Sequence, residues 1–360
     1  MDDAALFDAV PEPEVARRLL PYLCTATGAS RLTFASAPAQ MLGGFDTLVY
    51  AFEVADPPPA LAGPLVLRVY RDARGPERAH LEACVQNAVG ELGYPTPRVL
   101  LTCLDRTVLG GAFQVMRRVH GRVMLDAIFG PSVLRMPTVL ATLHAQLHSL
   151  DAQAFTARLT AAKCSAEQLS VAADLDDLQA RIGAAQLSGL APALEWVQNH
   201  LPSARGRNVV CHGDFHPLNV LVDGQRVSGV LDWARTKLAD PAWDVGATIA
   251  LTTHGPLRLP GVLHRAAMTA RQWFVDRYVS AYVRLRPLDR TAVRYYEAVR
   301  CLAMLVEAGE HIQVQRGVIP PVAKPTAFKD ARTLRGLLAR VRAISAIDAA
   351  LPPAAPLRSA

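Results

Sequence analysis

Between residues 210 and 219 the chain reads VCHGDFHPLN, and after a further apolar run Asp232 opens the segment DWARTKLADPAWDVG. Two imidazoles, a carboxylate and an amide crowded behind an apolar run could hold a metal, serve phosphoryl transfer, or only brace a loop. His212, Asp214 and His216 alternate, so in a strand they would share one face, as in some zinc sites. Pro217 follows directly and points instead to a loop, and no further His cluster lies nearby, so a zinc hydrolase is disfavoured. Cys211 has no neighbouring Lys or Arg to favour its thiolate and reads as a buried thiol.

The flanks must position these groups. NVLV and RVSGVLD surround DGQ, which is a hairpin signal. A loop over residues 224–227 places Asn219 opposite Asp232. A two-residue turn on Asp223-Gly224 faces Asn219 with Ser228 and carries Asp232 about 13 Å further along the strand. The sequence admits both; the wider loop is the expected one, because it brings two oxygen ligands together. A carboxylate and an amide oxygen at a hairpin mouth suit a hard cation such as Mg²⁺. Asp214, five residues before Asn219, can return to the same place and accept a hydroxyl proton.

Further out, PEPEVARRLLPYLCTATG has helical apolar spacing, and RLTFASA, LVYAFEV and PLVLRVY read as three strands of an antiparallel meander. GPERAHLEACVQNAVGEL reads as a helix, and PRVLLTCLD and GGAFQVMRRV as two more strands. From about residue 121 the texture is helical, except for a β island at 209–232. The expected organisation is a β-rich N-terminal lobe over 1–118 with a helical extension over 1–30, a larger helical lobe over 119–345, and a frayed tail over 346–360. His144 and His148 lie one helical turn apart without the acid of an H-E-x-x-H helix, so one of them is expected to brace the catalytic loop. Trp273, Phe274, Tyr278 and Tyr282 read as core. Asp240 and Asp244 read as loop caps or braces, with Asp244 a support beneath the site.

The 360 residues suit two lobes, and 51% hydrophobic content with mixed charges reads as globular. The net charge of +6 comes without any Lys/Arg block, so a mildly cationic cleft for a polyphosphate explains it as well as nucleic acid does. The six Cys are far apart with no C-x-x-C pair, the usage of a reduced cytoplasmic protein with free buried thiols. The acidic start MDDAALFDAV lacks a signal-peptide pattern, and no apolar run is long enough to span a membrane.

HGDFHPLN has the H-x-D-x-x-x-x-N spacing of a kinase catalytic loop, and Asp232 falls where kinases keep a metal-binding Asp. With Gly213 in place of the usual Arg, and Asp240-Pro241 and Asp244 downstream, the chain resembles the aminoglycoside phosphotransferase and choline kinase-like family over roughly residues 30–315. The resemblance implies a bilobal α+β protein-kinase-like fold. It implies transfer of the γ-phosphoryl of ATP or GTP to a hydroxyl of an antibiotic or metabolite, with Asp214 catalytic and Asn219 and Asp232 on Mg²⁺. Gly43, Gly44, Asp46 and Thr47 take the place of its nucleotide loop. Arg68 replaces its usual Lys, Glu82 is the carboxylate paired with that cation, and backbone groups around Met116 to Arg118 are expected to meet adenine. An Arg differs in shape from the ammonium it replaces, which bears on the detailed geometry of the phosphate grip.

A protein kinase is disfavoured by HGD in place of HRD and by the lack of an A-P-E-like segment. A non-catalytic nucleotide-binding or scaffold protein of the same fold is the alternative, against which the intact Asp214, Asn219 and Asp232 speak. From Asp232 to Asp330, 14 Lys/Arg stand against nine Asp/Glu, which lowers the expectation of a polycationic acceptor, although Glu307 and Glu310 could still line a pocket. Neither nucleic acid nor a membrane is expected as a partner.

Overall fold

Alternation of apolar and polar residues builds the first sheet. In the strand Leu48–Ala55, Tyr50, Phe52 and Val54 point inward and are buried, while their neighbours are half-exposed. The structure is a computed structural model that describes residues 11–41, 47–127, 131–202, 208–256, 259, 261–320 and 326–353. In chain order come α1 (Glu12–Thr27), β1 (Thr33–Gln40), β2 (Leu48–Ala55), β3 (Leu65–Tyr70), α2 (Gly75–Glu91), β4 (Val99–Cys103), the short α3 (Arg106–Leu109) and β5 (Ala112–Arg117). The strands form one antiparallel sheet in the order β1-β2-β3-β5-β4, so β1 to β3 are the expected meander and β5 inserts between β3 and β4. Val15, Leu19 and Leu23, four residues apart on α1, close one face of the sheet over Leu65, Leu67 and Phe113.

The second body is helical: α4 (Met136–Leu147), α5 (Ala152–Ala161), α6 (Val171–Ala184), α7 (Ala191–Asn199), then, after the β island, α8 (Pro241–His254), α9 (Gly261–Leu285), α10 (Arg290–Gln315) and α11 (Ala331–Ser345). The island holds β7 (Val209–Cys211), β8 (Val220–Asp223), β9 (Arg226–Val230) and β10 (Lys237–Ala239), with β6 (Arg122–Val123) pairing onto β8. β10 pairs antiparallel with β7, which extends the island beyond the expected 209–232. The fold is thus the bilobal α+β architecture expected. Gly246 lets α8 and α10 approach closely, since an added Cβ would lie 2.7 Å from the Val293 carbonyl oxygen.

Three expectations change. Cys84 on α2 and Cys164 just past α5 form a disulfide with their Cα atoms 6.7 Å apart, whereas only free thiols were expected. Residues 80 apart in sequence meet because α2 lies against α5, which sequence spacing does not reveal. Tyr278 and Tyr282 are buried as expected, but Trp273 lies on the outer side of α9 at 37% exposure. Ala350 and Leu351 are held where fraying was expected, with the Ala350 amide donating to the Gly189 carbonyl at 2.9 Å and Leu351 packed on the larger core, while residues 354–360 of the expected tail lie outside the described residues. Among the described residues, no helix is long and apolar enough to cross a membrane.

Candidate active site

The loop after β7 is shaped by one buried carboxylate. Asp240 caps α8 by accepting from the Ala242 amide at 2.8 Å, and the first turn of that helix presents Asp244. Asp244 Oδ2 accepts from the His212 amide at 2.5 Å and Oδ1 from the Gly213 amide at 2.8 Å. Gly213 has φ +78°, and an added Cβ there would overlap the Arg235 carbonyl oxygen and the Trp243 ring, which is why this position is Gly. The His212 ring continues the brace: Nδ1 accepts from the Asp214 amide at 3.2 Å and Nε2 lies 2.9 Å from the Leu231 carbonyl. This pair of contacts fits the neutral tautomer protonated at Nε2, in keeping with burial pushing the His212 pKa down.

His144 on α4 and His148 just past its end both join the brace, where one was expected. His144 Nε2 and His148 Nε2 lie 2.9 and 3.2 Å from Asp244 Oδ2, and their Nδ1 atoms meet the hydroxyls of Tyr278 and Tyr282 at 2.5 and 2.6 Å. Burial first, and the charge of His144 next, push the His148 pKa down to about 4. Acid therefore weakens the fold in a defined window. Below about pH 6.5 an unfolded histidine takes up a proton that folded His148 refuses until about pH 4. The unfolded state then binds more protons, and stability falls with falling pH by up to about 1.4 kcal/mol per pH unit for such a group. Urea unfolding at pH 7 and pH 5 should show a lower midpoint at pH 5.

Asp214 emerges from this brace into a cluster of donors. Arg300 Nη2 meets its Oδ1 at 2.9 Å, and His216 Nε2 and Asn219 Nδ2 meet its Oδ2 at 3.3 and 3.2 Å. Asn219 Nδ2 also donates to the Asp214 carbonyl at 2.9 Å, which closes the loop on itself. Burial alone would raise the Asp214 pKa, but the His216 hydrogen bond and the charges of His216, Arg300 and Arg235 override it and hold the carboxyl well below its usual range. Arg300 was not foreseen from sequence. The available signal was a charged residue on the apolar side of an α10 stretch in which Tyr296, Val299 and Met304 are all buried.

The hairpin register differs from both registers considered. The turn is the two-residue Gly224-Gln225, between the paired Asp223 and Arg226, not a loop over 224–227. Ser228 is an extra residue that shifts the pairing, so Leu221 faces Gly229 and Val220 faces Val230. Asn219 accordingly faces Leu231, whose amide donates to the Asn219 carbonyl at 2.8 Å, and Asp232 is the next residue. The turn's position alone would leave Asp232 two residues beyond the one facing Asn219, and the bulge at Ser228 reduces that to one. Asp232 has φ +64°, a left-handed conformation that Asp tolerates better than most residues.

Across the cleft, β3 and α2 supply the expected cation and its partner. Arg68 Nη1 meets Glu82 Oε2 at 2.9 Å, Arg68 Nη2 meets Asp232 Oδ1 at 3.4 Å, and Arg68 Nε donates to Thr47 Oγ1 at 3.0 Å. Glu82 also accepts from the Tyr70 hydroxyl at 2.7 Å, and its burial raises its pKa against the pull of Arg68. Gly43, Gly44 and Asp46 lie outside the described residues. Met116 is buried in β5, between its partners Val66 and Val99. The amides of Arg117 and Arg118 donate to the carbonyls of Arg98 and Pro64 at 2.9 and 3.0 Å. Of the backbone groups around Met116 to Arg118 expected to meet adenine, these two amides are thus already bonded to neighbouring chain.

Residues 39–274 match the family described as "Phosphotransferase enzyme family". Among curated proteins, acyl-CoA dehydrogenase family member 11 from Homo sapiens is 28% identical over 57% of this chain, and that from Gallus gallus is 31% identical over 45%. The chain spans about a quarter of the length of these relatives: 27% of the human protein and 21% of the chicken protein. Among solved structures, a candidate aminoglycoside phosphotransferase from Ralstonia eutropha JMP134 superposes with a TM-score of 0.61 at 18% identity, over 87% of this chain and 93% of that one. An aminoglycoside phosphotransferase in ternary complex with ADP and hygromycin B gives 0.53 at 17% identity, over 91% and 98% of the two chains. These structural likenesses establish the fold. The family match covers most of the chain, including the Asp214 loop, the hairpin and Asp244, and the chain belongs to the phosphotransferase enzyme family.

Proposed function

We propose that this protein is a small-molecule kinase that transfers the γ-phosphoryl of ATP or GTP to an alcohol. The observation that carries the reading is the chain of contacts Glu82–Arg68–Asp232, at 2.9 and 3.4 Å, that links β3 and α2 to the end of the hairpin beside the Asp214 loop. Residues 1–118 would hold the nucleotide and residues 119–345 the acceptor, in a cytoplasmic setting that supplies both nucleotide and Mg²⁺. Asn219 through its amide oxygen and Asp232 through its carboxylate are hard donors that suit Mg²⁺, which when bound would neutralise the β- and γ-phosphate oxygens. Arg68, held by Glu82 and Thr47, would grip the remaining phosphate oxygens.

Asp214 orients the acceptor hydroxyl. The hydroxyl oxygen bonds to the γ-phosphorus as the bond to the β-bridging oxygen breaks, the nucleoside diphosphate leaves, and the hydroxyl proton passes to Asp214. A carboxylate held below its usual pKa is a weak base, so the proton passes to it late, as the new P–O bond forms. Thermal shift with ATP and GTP, with and without Mg²⁺, tests the reading. At a hundredfold excess over Kd, nucleotide adds about 2.7 kcal/mol, or roughly 3–5 °C in a chain of this size. Arg68→Ala should abolish most of that shift. Release of nucleoside diphosphate over a panel of aminoglycosides, macrolides and amino alcohols then reports transfer. No shift with either nucleotide and no release with any acceptor would defeat the reading and favour a scaffold role.

A further inference from the structure

Beside the Asp214 loop lies a cleft of about 490 Å³, including the part open to solvent, walled by α6, α8 and α10 and by Gly213 and Arg235. It contains two acids and three guanidinium groups, and these are unequally satisfied. Asp174 pairs with Lys237 at 2.9 Å, and Asp177 lies 3.7 Å from Arg181 and 3.6 Å from Arg74. Arg181 is held by both carboxylate oxygens of Glu310 at 2.8 Å. Among the described residues, the other two arginines are not saturated. Arg300 uses Nη2 on Asp214, while its Nε and Nη1 are buried without an acceptor. Arg235 reaches Glu307 only at 3.9 Å, and its Nε is likewise buried without an acceptor.

The wall of the cleft therefore has its acids neutralised and guanidinium donors left over. A buried donor with nothing to bond is unfavourable, and a guanidinium N–H donates strongly to an anionic oxygen. Burial, and next the charge of Arg235, lower the Arg300 pKa against the opposing pull of Asp214, Glu307 and Asp174. Arg300 also touches Asp214, so a group bound to it would lie within a few atoms of the group that orients the acceptor hydroxyl.

We propose that the acceptor is an alcohol bearing an oxyanion, a carboxylate or a phosphate, which docks on Arg300 and Arg235 and so directs its hydroxyl to Asp214. This rests on the kinase reading and names its substrate class. A polycation is the wrong partner for this wall, since it would add positive charge beside arginines that already lack acceptors.

The test uses four small alcohols titrated into the nucleotide-free full chain: 3-hydroxybutyrate, butane-1,3-diol, 4-aminobutan-2-ol and glycerol 3-phosphate. The first three carry their hydroxyl at the same spacing from an anion, a neutral group and a cation. At least one anionic probe should bind roughly tenfold more tightly than the diol, and the amine most weakly. The stronger anionic arm identifies the carboxylate or the phosphate as the source. Arg235→Gln should weaken the anion about tenfold while leaving the Mg²⁺-nucleotide thermal shift unchanged. Arg235 is partly exposed, so this variant is expected to fold. Arg300→Gln should weaken the anion similarly, with partial rescue by Arg300→Lys. Equal or tighter binding of the diol or the amine, no binding of any probe, or an anion affinity unmoved in both variants would overturn the inference. The nucleotide shift is measured separately: its survival alongside such a result leaves the kinase reading standing, and its loss defeats that reading while the anion titration still decides this one.

Discussion

Asp214→Asn leaves Mg²⁺-nucleotide binding intact and lowers turnover by about 10²–10⁴, the range for loss of a general base. The amide keeps the size of the carboxylate but can no longer receive the hydroxyl proton. It also removes the negative charge that Arg300 meets at 2.9 Å, which leaves a buried guanidinium without a counter-ion. Two measurements separate these effects. Single-turnover transfer reports the chemical step, and the nucleotide thermal shift reports whether the site still assembles. A variant as active as the parent would remove Asp214 from the chemistry, whatever the family of the chain.

The second large effect falls on stability. Asp244→Ala is expected to cost about 3–5 kcal/mol, the cost of removing one member of a buried charged network. Three hydrogen bonds are lost at once, from the amides of His212 and Gly213 and from His148 Nε2, together with the 2.9 Å contact of His144 Nε2. Asp244 is wholly buried, so water cannot easily replace it. Urea unfolding measures the loss, and its partner variant is informative. His148→Ala should be milder, because it leaves both loop amides bonded to Asp244. If the two variants are equally stable, Asp244 is not what shapes the loop. Should Asp244→Ala remain folded at low temperature, turnover should fall further than nucleotide affinity, since the loop carries Asp214 and not the phosphate grip of Arg68.

Much of the architecture could be read from local patterns. The inward alternation of Tyr50, Phe52 and Val54 gave β2, and four-residue spacing of Val15, Leu19 and Leu23 gave α1. The pairing of Arg68 with Glu82 was implied by the family resemblance, and the structure joins them at 2.9 Å. Other features depended on contacts that no local pattern encodes. Ser228 is an unremarkable polar residue within an alternating strand, yet as a bulge it decides which residue Asn219 faces. Arg300 is 86 residues from Asp214, and its aim depends on how closely α10 crosses α8 at Gly246.

Sequence alone determined the inventory and the order: a loop with Asp214 and Asn219, a hairpin leading to Asp232, a cation on the third strand, and helices around them. Those follow from residue type and from spacing within a few positions, where the backbone period dictates which side chains share a face. Tertiary structure decided the hairpin register, the Cys84–Cys164 link, the two histidines behind Asp244 and the uneven pairing of Arg235 and Arg300. Each is a meeting of distant segments. Whether a buried donor finds an acceptor depends on the closeness of whole helices, which is set by how the core fills and not by the residues on either side in the chain.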